Sequence, residues 1–249
     1  MHEQEYKAYI ILLILGLILI FFLIIFILNI FKYQKKNREL FIKSLHAEMQ
    51  GRELERKRIA KDIHDDLGAT LSSANMYLQA IEGVSENTHL NNAVKCITNG
   101  IESLRTIMND LYPISLDKYG LLACLNEFTE EIHQTGKMKI TLSNTAENLE
   151  LLIQKAHKIH LFRIIKEITH NTLKYAESKT LSIQFSEKEN AILLETFDQG
   201  IGFDGNDTNT LQKGHGIQNI ISRVELMGGK IYLDARPKQG VHYTIELPI

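Results

Sequence analysis

The chain has 249 residues, of which 44% are hydrophobic and 23% are charged, and its formal net charge is −2. This length allows one or two globular domains together with one additional segment. Because the net charge is small and no dense basic stripe occurs beyond residues 32–38, the composition argues against direct binding of nucleic acid.

An uncharged, apolar stretch covers residues 8–31 and contains a single amide side chain, Asn29. Its length suits a helix that crosses roughly 30 Å of hydrocarbon. A cleaved signal peptide is the alternative, but its short apolar region, basic start and small-residue cleavage site are missing. The basic residues at 32–38 place the following chain in the cytoplasm. We therefore expect a single-pass protein of the cell (inner) membrane, with residues 1–7 as a short extracytoplasmic tail.

A helical hairpin is predicted over residues 52–113, after a juxtamembrane signalling helix at 32–51. Apolar residues recur at steps of three or four over 63–81 and again over 91–111, which is the period of a helix with one apolar seam. Pro113 ends the second helix. Since one hairpin cannot bury both seams, we expect two copies to associate as a dimeric four-helix bundle.

The remaining residues, 114–249, mix helical patterns with short alternating stretches that are typical of strands. The helical patterns cover 121–134, 155–175 and 217–227. Strands are predicted around 138–142, 181–185, 192–197, 231–233 and 243–247. This order predicts an α/β sandwich, with one sheet layered against helices. Cys96 and Cys124 have no metal-like spacing, so we interpret both as reduced thiols in the core.

A charged stretch on the first hairpin helix contains His64. Because Ile63 belongs to the apolar seam, His64 lies about 100° around the helix from it and faces solvent. An exposed imidazole with one unprotonated nitrogen is a nucleophile, and a neighbouring carboxylate can orient the ring or accept its proton. Asp65 is the nearest candidate for that carboxylate. Taken alone, the same pattern also fits a solvated surface histidine among charged residues.

A second group of polar residues lies on the helix predicted at 155–175. Glu167, Asn171 and Lys174 are spaced by four and three residues and therefore share one helix face. An acid, an amide oxygen and an ammonium group suit Mg²⁺ with bound phosphates, since Mg²⁺ prefers oxygen ligands and ammonium pairs with phosphate. The alternative is an ordinary polar face with a Glu–Lys pair.

Two pairs of glycines follow. Gly200 and Gly202 come directly after Asp198 at the end of a buried strand, and Gly214 and Gly216 precede a helix. Paired glycines let the backbone approach a ligand closely, and the start of a helix offers free N–H groups to phosphate. The carboxylate of Asp198 can accept a hydrogen bond from an adenine amino group. Each pair alone also fits a turn, but all three groups in this order predict a nucleotide site.

That order resembles the ATP-binding domain of the histidine kinase, Hsp90, gyrase and MutL superfamily, called the Bergerat fold. Residues 167–176 look like its N box, residues 198–203 like its first glycine box and residues 214–223 like its second. The resemblance implies ATP and Mg²⁺ as ligands. It also implies specific contacts: Asn171 on Mg²⁺, Lys174 on phosphate and Asp198 on adenine.

Residues 58–68 are similar to the phosphoacceptor helix of the histidine kinases that serve NarL/LuxR-type response regulators. The resemblance implies a homodimeric sensor kinase that phosphorylates itself on His64, with Asp65 as the base and Glu167 as a further catalytic residue. The phosphoryl group then passes to an aspartate of the regulator. These kinases often carry Gln five residues after the histidine, thought to place the water that dephosphorylates the regulator. Here that residue is Ala69, which predicts weak phosphatase activity.

Two other functions remain open from the sequence. In the first, a Bergerat-fold kinase or ATPase acts on another protein, which would make His64 incidental. Acid-labile phosphate on this chain would exclude that alternative. In the second, a non-enzymatic membrane dimer binds nucleotide as a structural or switching ligand. The presence of Asn171, Lys174 and Asp198 together argues against the second alternative.

Overall fold

The computed structural model describes residues 2–81, 86–204 and 215–249 and divides the chain into two units, Met1–Leu54 and Glu55–Ile249. The described part of the first unit belongs to a single helix, α1 (His2–Asp62). Within the described residues, one continuous helical stretch is long and apolar enough to cross a membrane by its length and composition. Its large side chains are exposed, for example Leu19 at 68% and Phe22 at 63%. Such a surface suits lipid better than water.

The second unit begins with the predicted hairpin. After α1, the chain forms a π-helical turn (Ile63–Gly68), continues as α2 (Ala69–Gln79) and returns as α3 (Thr88–Leu111). The side chain of Asn87 caps α3, because its Oδ1 accepts hydrogen bonds from two backbone N–H groups at the start of the helix. The prediction of a hairpin is confirmed, with a second helix that starts three residues earlier than expected.

The apolar seam of the hairpin is only partly covered within one chain. Met108 is buried, but Leu67 is 53% exposed and Ile107 is 54% exposed. Exposed apolar side chains of this size on facing helices form a surface that favours association with another apolar surface.

The rest of the second unit is an α/β layer structure. Its helices are α4 (Ile114–Tyr119), α5 (Leu121–Gln134), α6 (Leu149–Leu152), α7 (Lys155–Asn171) and α8 (His215–Leu226). A π-helical turn, Thr172–Ala176, extends α7. Its strands are β1 (Lys139–Asn144), β2 (Thr180–Lys188), β3 (Ala191–Asp198), β4 (Lys230–Ala235) and β5 (Val241–Pro248). The predicted helices and strands are confirmed, whereas α4, α6 and both π-helical turns were not predicted.

The five strands form one sheet in the order β1-β2-β3-β5-β4, in which β1 and β2 are parallel and the other neighbours are antiparallel. Alternate residues of β2, β3 and β5 are buried, as in Leu181, Ile183 and Phe185. They pack in one hydrophobic core with apolar residues of α5, α7 and α8. The α/β sandwich is therefore confirmed.

One sequence interpretation is wrong. Cys124 is buried, and burial raises the pKa of its thiol to about 11. Cys96, however, is exposed. It directly precedes the seam residue Ile97, so a helical step of about 100° takes its side chain off the seam.

Candidate functional site

The first part of the site is the imidazole of His64, which lies in the π-helical turn between α1 and α2. Its side chain is 58% exposed, and its Nδ1 lies 3.1 Å from Oδ1 of Asp65. Because an ionised carboxylate only accepts hydrogen bonds, the proton of a neutral ring is held on Nδ1 and Nε2 keeps its lone pair. The prediction that His64 faces outward with Asp65 beside it is confirmed. Nε2 is the nitrogen available as a nucleophile.

His64 and Asp65 lie on a groove of about 350 Å³ between the two helices of the hairpin. Ala69 also lines this groove, so the residue at position 69 is next to the space in front of His64. The hydroxyl of Thr70 points elsewhere: it donates a 2.7 Å hydrogen bond to the backbone carbonyl of Asp66. Ala69 and His64 therefore line the same groove.

The second part of the site joins the N box to the second glycine pair. Glu167 and Asn171 lie on α7, and Gly216 lies near the start of α8. A β-carbon added at Gly216 would collide with Oε1 of Glu167 and would lie 3.2 Å from Nδ2 of Asn171. Glycine at this position thus permits the close approach of α8 to both polar side chains. Gly214, also predicted to bind the cofactor, lies outside the described residues.

The position of Lys174 follows from the π-helical turn that extends α7. A π-helical turn contains more residues than an α-helical turn, so the spacing of three from Asn171 no longer places Lys174 where a regular helix would. Its side chain is exposed, and Nζ lies 5.0 Å from the ring centroid of Tyr175. Glu167 and Asn171 thus meet at Gly216, whereas the contact of Lys174 is with Tyr175.

Asp198 forms the third part of the site, at the end of β3. Its side chain is 4% exposed. Oδ1 accepts a 2.9 Å hydrogen bond from the backbone N–H of Gly200, and Oδ2 accepts a 3.4 Å hydrogen bond from the hydroxyl of Thr172. A buried carboxylate requires such donors, and its two oxygens together can accept about four hydrogen bonds. Asp198 therefore retains capacity for a donor from a ligand.

Glycines allow three backbone segments to meet around Asp198. Gly202 has φ +57°, and a β-carbon there would collide with the carbonyl oxygen of Arg236. Gly240 has φ +76°, and a β-carbon there would collide with the carbonyl oxygen of Asp198. A β-carbon on Gly200 would collide with the carbonyl oxygen of Ala176. These contacts connect the first glycine pair to the end of α7 and to the turn before β5.

Two residues of this region were not predicted as site residues. Thr172 was missed because no motif marked its hydroxyl as a partner of Asp198. Gly240 was visible as the glycine before the last strand, but its contact with Asp198 requires the sheet order, in which β5 lies beside β3.

We expect Gly240→Ala to lower both stability and nucleotide binding. The added methyl group would strike the backbone of Asp198, and alanine adopts positive φ poorly. The free energy of unfolding should fall by roughly 1–3 kcal/mol. Thermal unfolding and binding of a fluorescent ATP analogue would measure the two effects. Gly136→Ala is the matched control, since it has φ +67° but no atom within 4 Å of the added carbon. Equal nucleotide affinity in the two variants would contradict the close approach.

Tyr243 on β5 connects Asp198 and Glu167 electrostatically. It is 4% exposed, and burial, followed by the negative charges of Asp198 and Glu167, raises the pKa of its hydroxyl. The phenol therefore remains neutral.

The donor set fits Mg²⁺ only together with phosphates. Among the described residues, no group of three or more His, Cys, Asp or Glu side chains could hold a metal ion. Asn171 and Glu167 nevertheless place an amide and a carboxylate side by side at Gly216. Mg²⁺ is commonly held by one or two protein oxygens with substrate phosphates and water, and this pair meets that requirement.

Polar contacts connect α7 to the end of the hairpin. Arg163 donates hydrogen bonds to the backbone carbonyls of Asp110 at 2.9 Å and Leu111 at 2.5 Å. Lys166 pairs with Oδ1 of Asp110 at 2.5 Å. The last carbonyls of a helix have no partner within it, so Arg163 satisfies the end of α3, while Lys166 adds an ion pair to the Asp110 side chain. The contacts were not predicted, since they join residues more than fifty positions apart.

Two family models match the chain. The model described as "Histidine kinase" matches residues 55–116. The model described as "Histidine kinase-, DNA gyrase B-, and HSP90-like ATPase" matches residues 156–249. The first match contains His64, and the second contains the Asn171, Asp198 and Gly216 region.

Several curated relatives are histidine kinases. The oxygen sensor histidine kinase NreB of Staphylococcus carnosus (strain TM300) is 25% identical over 222 residues, which cover 87% of this chain and 62% of that protein. The signal transduction histidine-protein kinase/phosphatase DegS of Bacillus subtilis (strain 168) is 27% identical over 212 residues, which cover 81% of this chain and 54% of that protein. The chain thus spans about three fifths or less of the length of these relatives.

Among solved structures, the histidine kinase domain of the Erythrobacter litoralis EL346 blue-light activated histidine kinase aligns with a TM-score of 0.47 and 16% identity. That alignment covers 80% of this chain and 94% of the other. The first family match contains the His64 part of the site, and the second contains the other two parts. The chain therefore belongs to the histidine kinase family, with a histidine kinase domain at residues 55–116 and an ATPase domain of the Bergerat type at residues 156–249.

Proposed function

We propose that the chain is a membrane-anchored sensor histidine kinase of a two-component system. It transfers the γ-phosphoryl group of ATP to His64 and then to an aspartate of a NarL/LuxR-type response regulator. One observation carries the proposal: an exposed His64, with Nδ1 directed at Asp65, occurs in the same chain as a site that joins Asn171, Glu167 and Gly216. Autophosphorylation requires both a nucleophilic histidine and a site that binds ATP.

The proposed reaction starts from the hydrogen bond between Nδ1 of His64 and Asp65. The lone pair of Nε2 forms a bond to the γ-phosphorus, while the bond from that phosphorus to the bridging oxygen breaks. The bridging oxygen keeps the electron pair and leaves on ADP. The imidazole gains positive character during this step, and the carboxylate of Asp65 stabilises it and holds the ring orientation.

In the ATPase domain, Asp198 accepts a hydrogen bond from the adenine amino group. Asn171 supplies an oxygen ligand for Mg²⁺, and we assign Glu167, beside it at Gly216, to catalysis at the phosphate end. Mg²⁺, when bound, neutralises charge on the triphosphate. Gly200, Gly202 and Gly216 permit the close backbone approach, while Gly214 and the exposed Lys174 complete the proposed nucleotide contacts.

The proposed assembly is a homodimer anchored in the inner membrane by residues 8–31, with the catalytic part in the cytoplasm. The exposed Leu67 and Ile107 on the hairpin support the dimer, because a second hairpin would cover them. The basic residues at 32–38 support the orientation. Each hairpin would then present its own His64 outside the bundle core.

The proposal is tested by incubating the purified chain in lipid nanodiscs with Mg²⁺ and ATP labelled on the γ-phosphate. We expect label on the chain that is lost in acid and retained in base, as for phosphohistidine. A purified NarL/LuxR-type regulator should then remove the label. Label that survives acid, or label on an added protein without label on this chain, would favour a kinase that acts on another protein. Binding of nucleotide without any transfer would favour the non-enzymatic alternative.

We expect weak phosphatase activity, and we expect Ala69→Gln to increase it several-fold. A carboxamide at position 69, on the groove beside His64, can orient the attacking water by donating and accepting hydrogen bonds, which a methyl group cannot do. The measurement is the decay of purified phospho-regulator with and without the ADP-loaded kinase.

Ala69→Leu is the size control for that experiment, because leucine adds bulk without a polar group. Thr70→Ala should have no effect, since the Thr70 hydroxyl is bonded to the carbonyl of Asp66. Strong acceleration by the parent kinase that persists in Thr70→Ala would contradict the argument from position 69.

A further inference from the structure

The groove beside His64 contains one charged residue that the proposed reaction has not used. Arg105, on α3, lines the groove together with His64 and Asp65 from the facing helix. Among its described lining residues, Arg105 is the sole side chain with a permanent positive charge. The rest of the lining includes apolar residues such as Leu104 and Met108.

Two basic residues of the first hairpin helix, Lys57 and Arg58, have carboxylate partners. Arg58 pairs with Glu55 at 2.7 Å and with Asp62 at 2.9 Å. Lys57 pairs with Asp117 at 2.6 Å. Within residues 2–81, 86–204 and 215–249, Arg105 has no hydrogen-bond or ion-pair partner, and its side chain is exposed. Its guanidinium group is thus available for an anion that enters the groove.

The proposed product creates an anion at this place. A phosphoryl group on Nε2 of His64 carries up to two negative charges, and Asp65 already holds a carboxylate against the same ring. Like charges this close repel each other, so the phosphorylated ring needs a compensating positive charge. A guanidinium group pairs with phosphate oxygens through two parallel hydrogen bonds. The guanidinium group of Arg105 supplies a positive charge that offsets the negative charges of the phosphoryl group and Asp65.

We propose that Arg105 is a phosphoryl-binding residue of the acceptor groove. It pairs with the phosphoryl group as that group arrives on His64 and holds it until the regulator accepts it. The bonds that form and break are those of the proposed reaction, and Arg105 exchanges no proton with the substrate. The inference rests on the proposed function, since it requires phosphorylation of His64.

The first test is kinetic and uses the full chain in nanodiscs with saturating Mg²⁺ and ATP. We expect Arg105→Gln to slow the initial labelling of His64 by about tenfold or more, the effect typical of losing a charged hydrogen bond. Arg105→Lys should recover part of the rate, because it retains the charge. Lys95→Gln is the matched control: Lys95 is an exposed cation on α3 that does not line the groove, so its loss should leave the rate unchanged.

The second test separates phosphoryl binding from a structural role. Phosphoramidate phosphorylates histidine without ATP, and the ³¹P resonance of phospho-His64 is identified by its absence in His64→Gln. A nearby cation favours the dianion, so the second ionisation of the phosphoryl group should occur at lower pH in the parent chain and in Arg105→Lys than in Arg105→Gln. A role in packing alone would not move this midpoint.

The outcomes separate the inference from the function on which it rests. A labelled parent chain with the same rate and the same ³¹P midpoint in Arg105→Gln would overturn the inference alone. Equal rate losses in Arg105→Gln and Arg105→Lys with an unmoved midpoint would also overturn it. Absence of acid-labile label on the parent chain would overturn the proposed function and, with it, this inference.

Discussion

His64→Gln is expected to reduce autophosphorylation to background while ATP binding stays within about twofold of the parent value. Glutamine has a similar size but lacks a nucleophilic ring nitrogen, so no bond to phosphorus can form. His64 is 58% exposed, and its substitution should cost little stability. The proposed nucleotide site is built from α7, β3 and α8, which do not include this residue. The measurements are initial labelling with γ-labelled ATP and equilibrium binding of a fluorescent ATP analogue.

The control for this result is His89→Gln. His89 is an exposed histidine at the start of α3, and its backbone N–H rather than its ring bonds to Asn87. Labelling should therefore persist in His89→Gln. Equal labelling of His64→Gln and the parent chain would overturn the assignment of the acceptor. Loss of ATP binding together with loss of labelling would instead indicate that the substitution disturbs the fold.

Local patterns predicted most of the fold because the relevant forces repeat along the chain. The alternation of Leu181, Ile183 and Phe185 predicted β2, since a strand with one buried face repeats every two residues. In the same way, the recurrence of apolar residues at steps of three or four in the seam that contains Ile63 predicted a helix with one buried face. The outward position of His64 followed from a single helical step relative to that seam. These predictions required no knowledge of residues distant in the sequence.

The parts that could not be predicted depend on tertiary structure. The contact between Gly240 and Asp198 exists because β5 pairs with β3, and no local pattern specifies that pairing. The cap on α3 by Arg163 joins residues far apart in the chain. Lys174 was placed by regular helical spacing, whereas α7 continues through a π-helical turn at this residue. Cys96 was wrongly predicted to be buried. The spacing of apolar residues shows that a helix has a buried face, but it does not show how many neighbouring residues that face includes.

Asn171→Ala is expected to lower Mg²⁺-dependent autophosphorylation by at least about 100-fold, because it removes a proposed direct oxygen ligand of the metal. Asn171 is half-buried beside Glu167 at Gly216, so the substitution should change the free energy of unfolding by no more than about 1 kcal/mol. Labelling rates across a Mg²⁺ titration, together with thermal unfolding, would measure both effects.

The comparison variant is Asn126→Ala, which removes an exposed amide from α5, a helix that carries none of the proposed nucleotide-site residues. Its labelling rate and Mg²⁺ dependence should match those of the parent chain. If Asn171→Ala retained its rate at the same Mg²⁺ concentration, another residue would hold the metal. Glu167 would then be the first candidate, because its carboxylate lies at the same glycine and Mg²⁺ accepts a carboxylate as readily as an amide oxygen. Glu167→Gln in the Asn171→Ala background would decide between them, since only a metal-binding Glu167 would shift the Mg²⁺ titration to higher concentration.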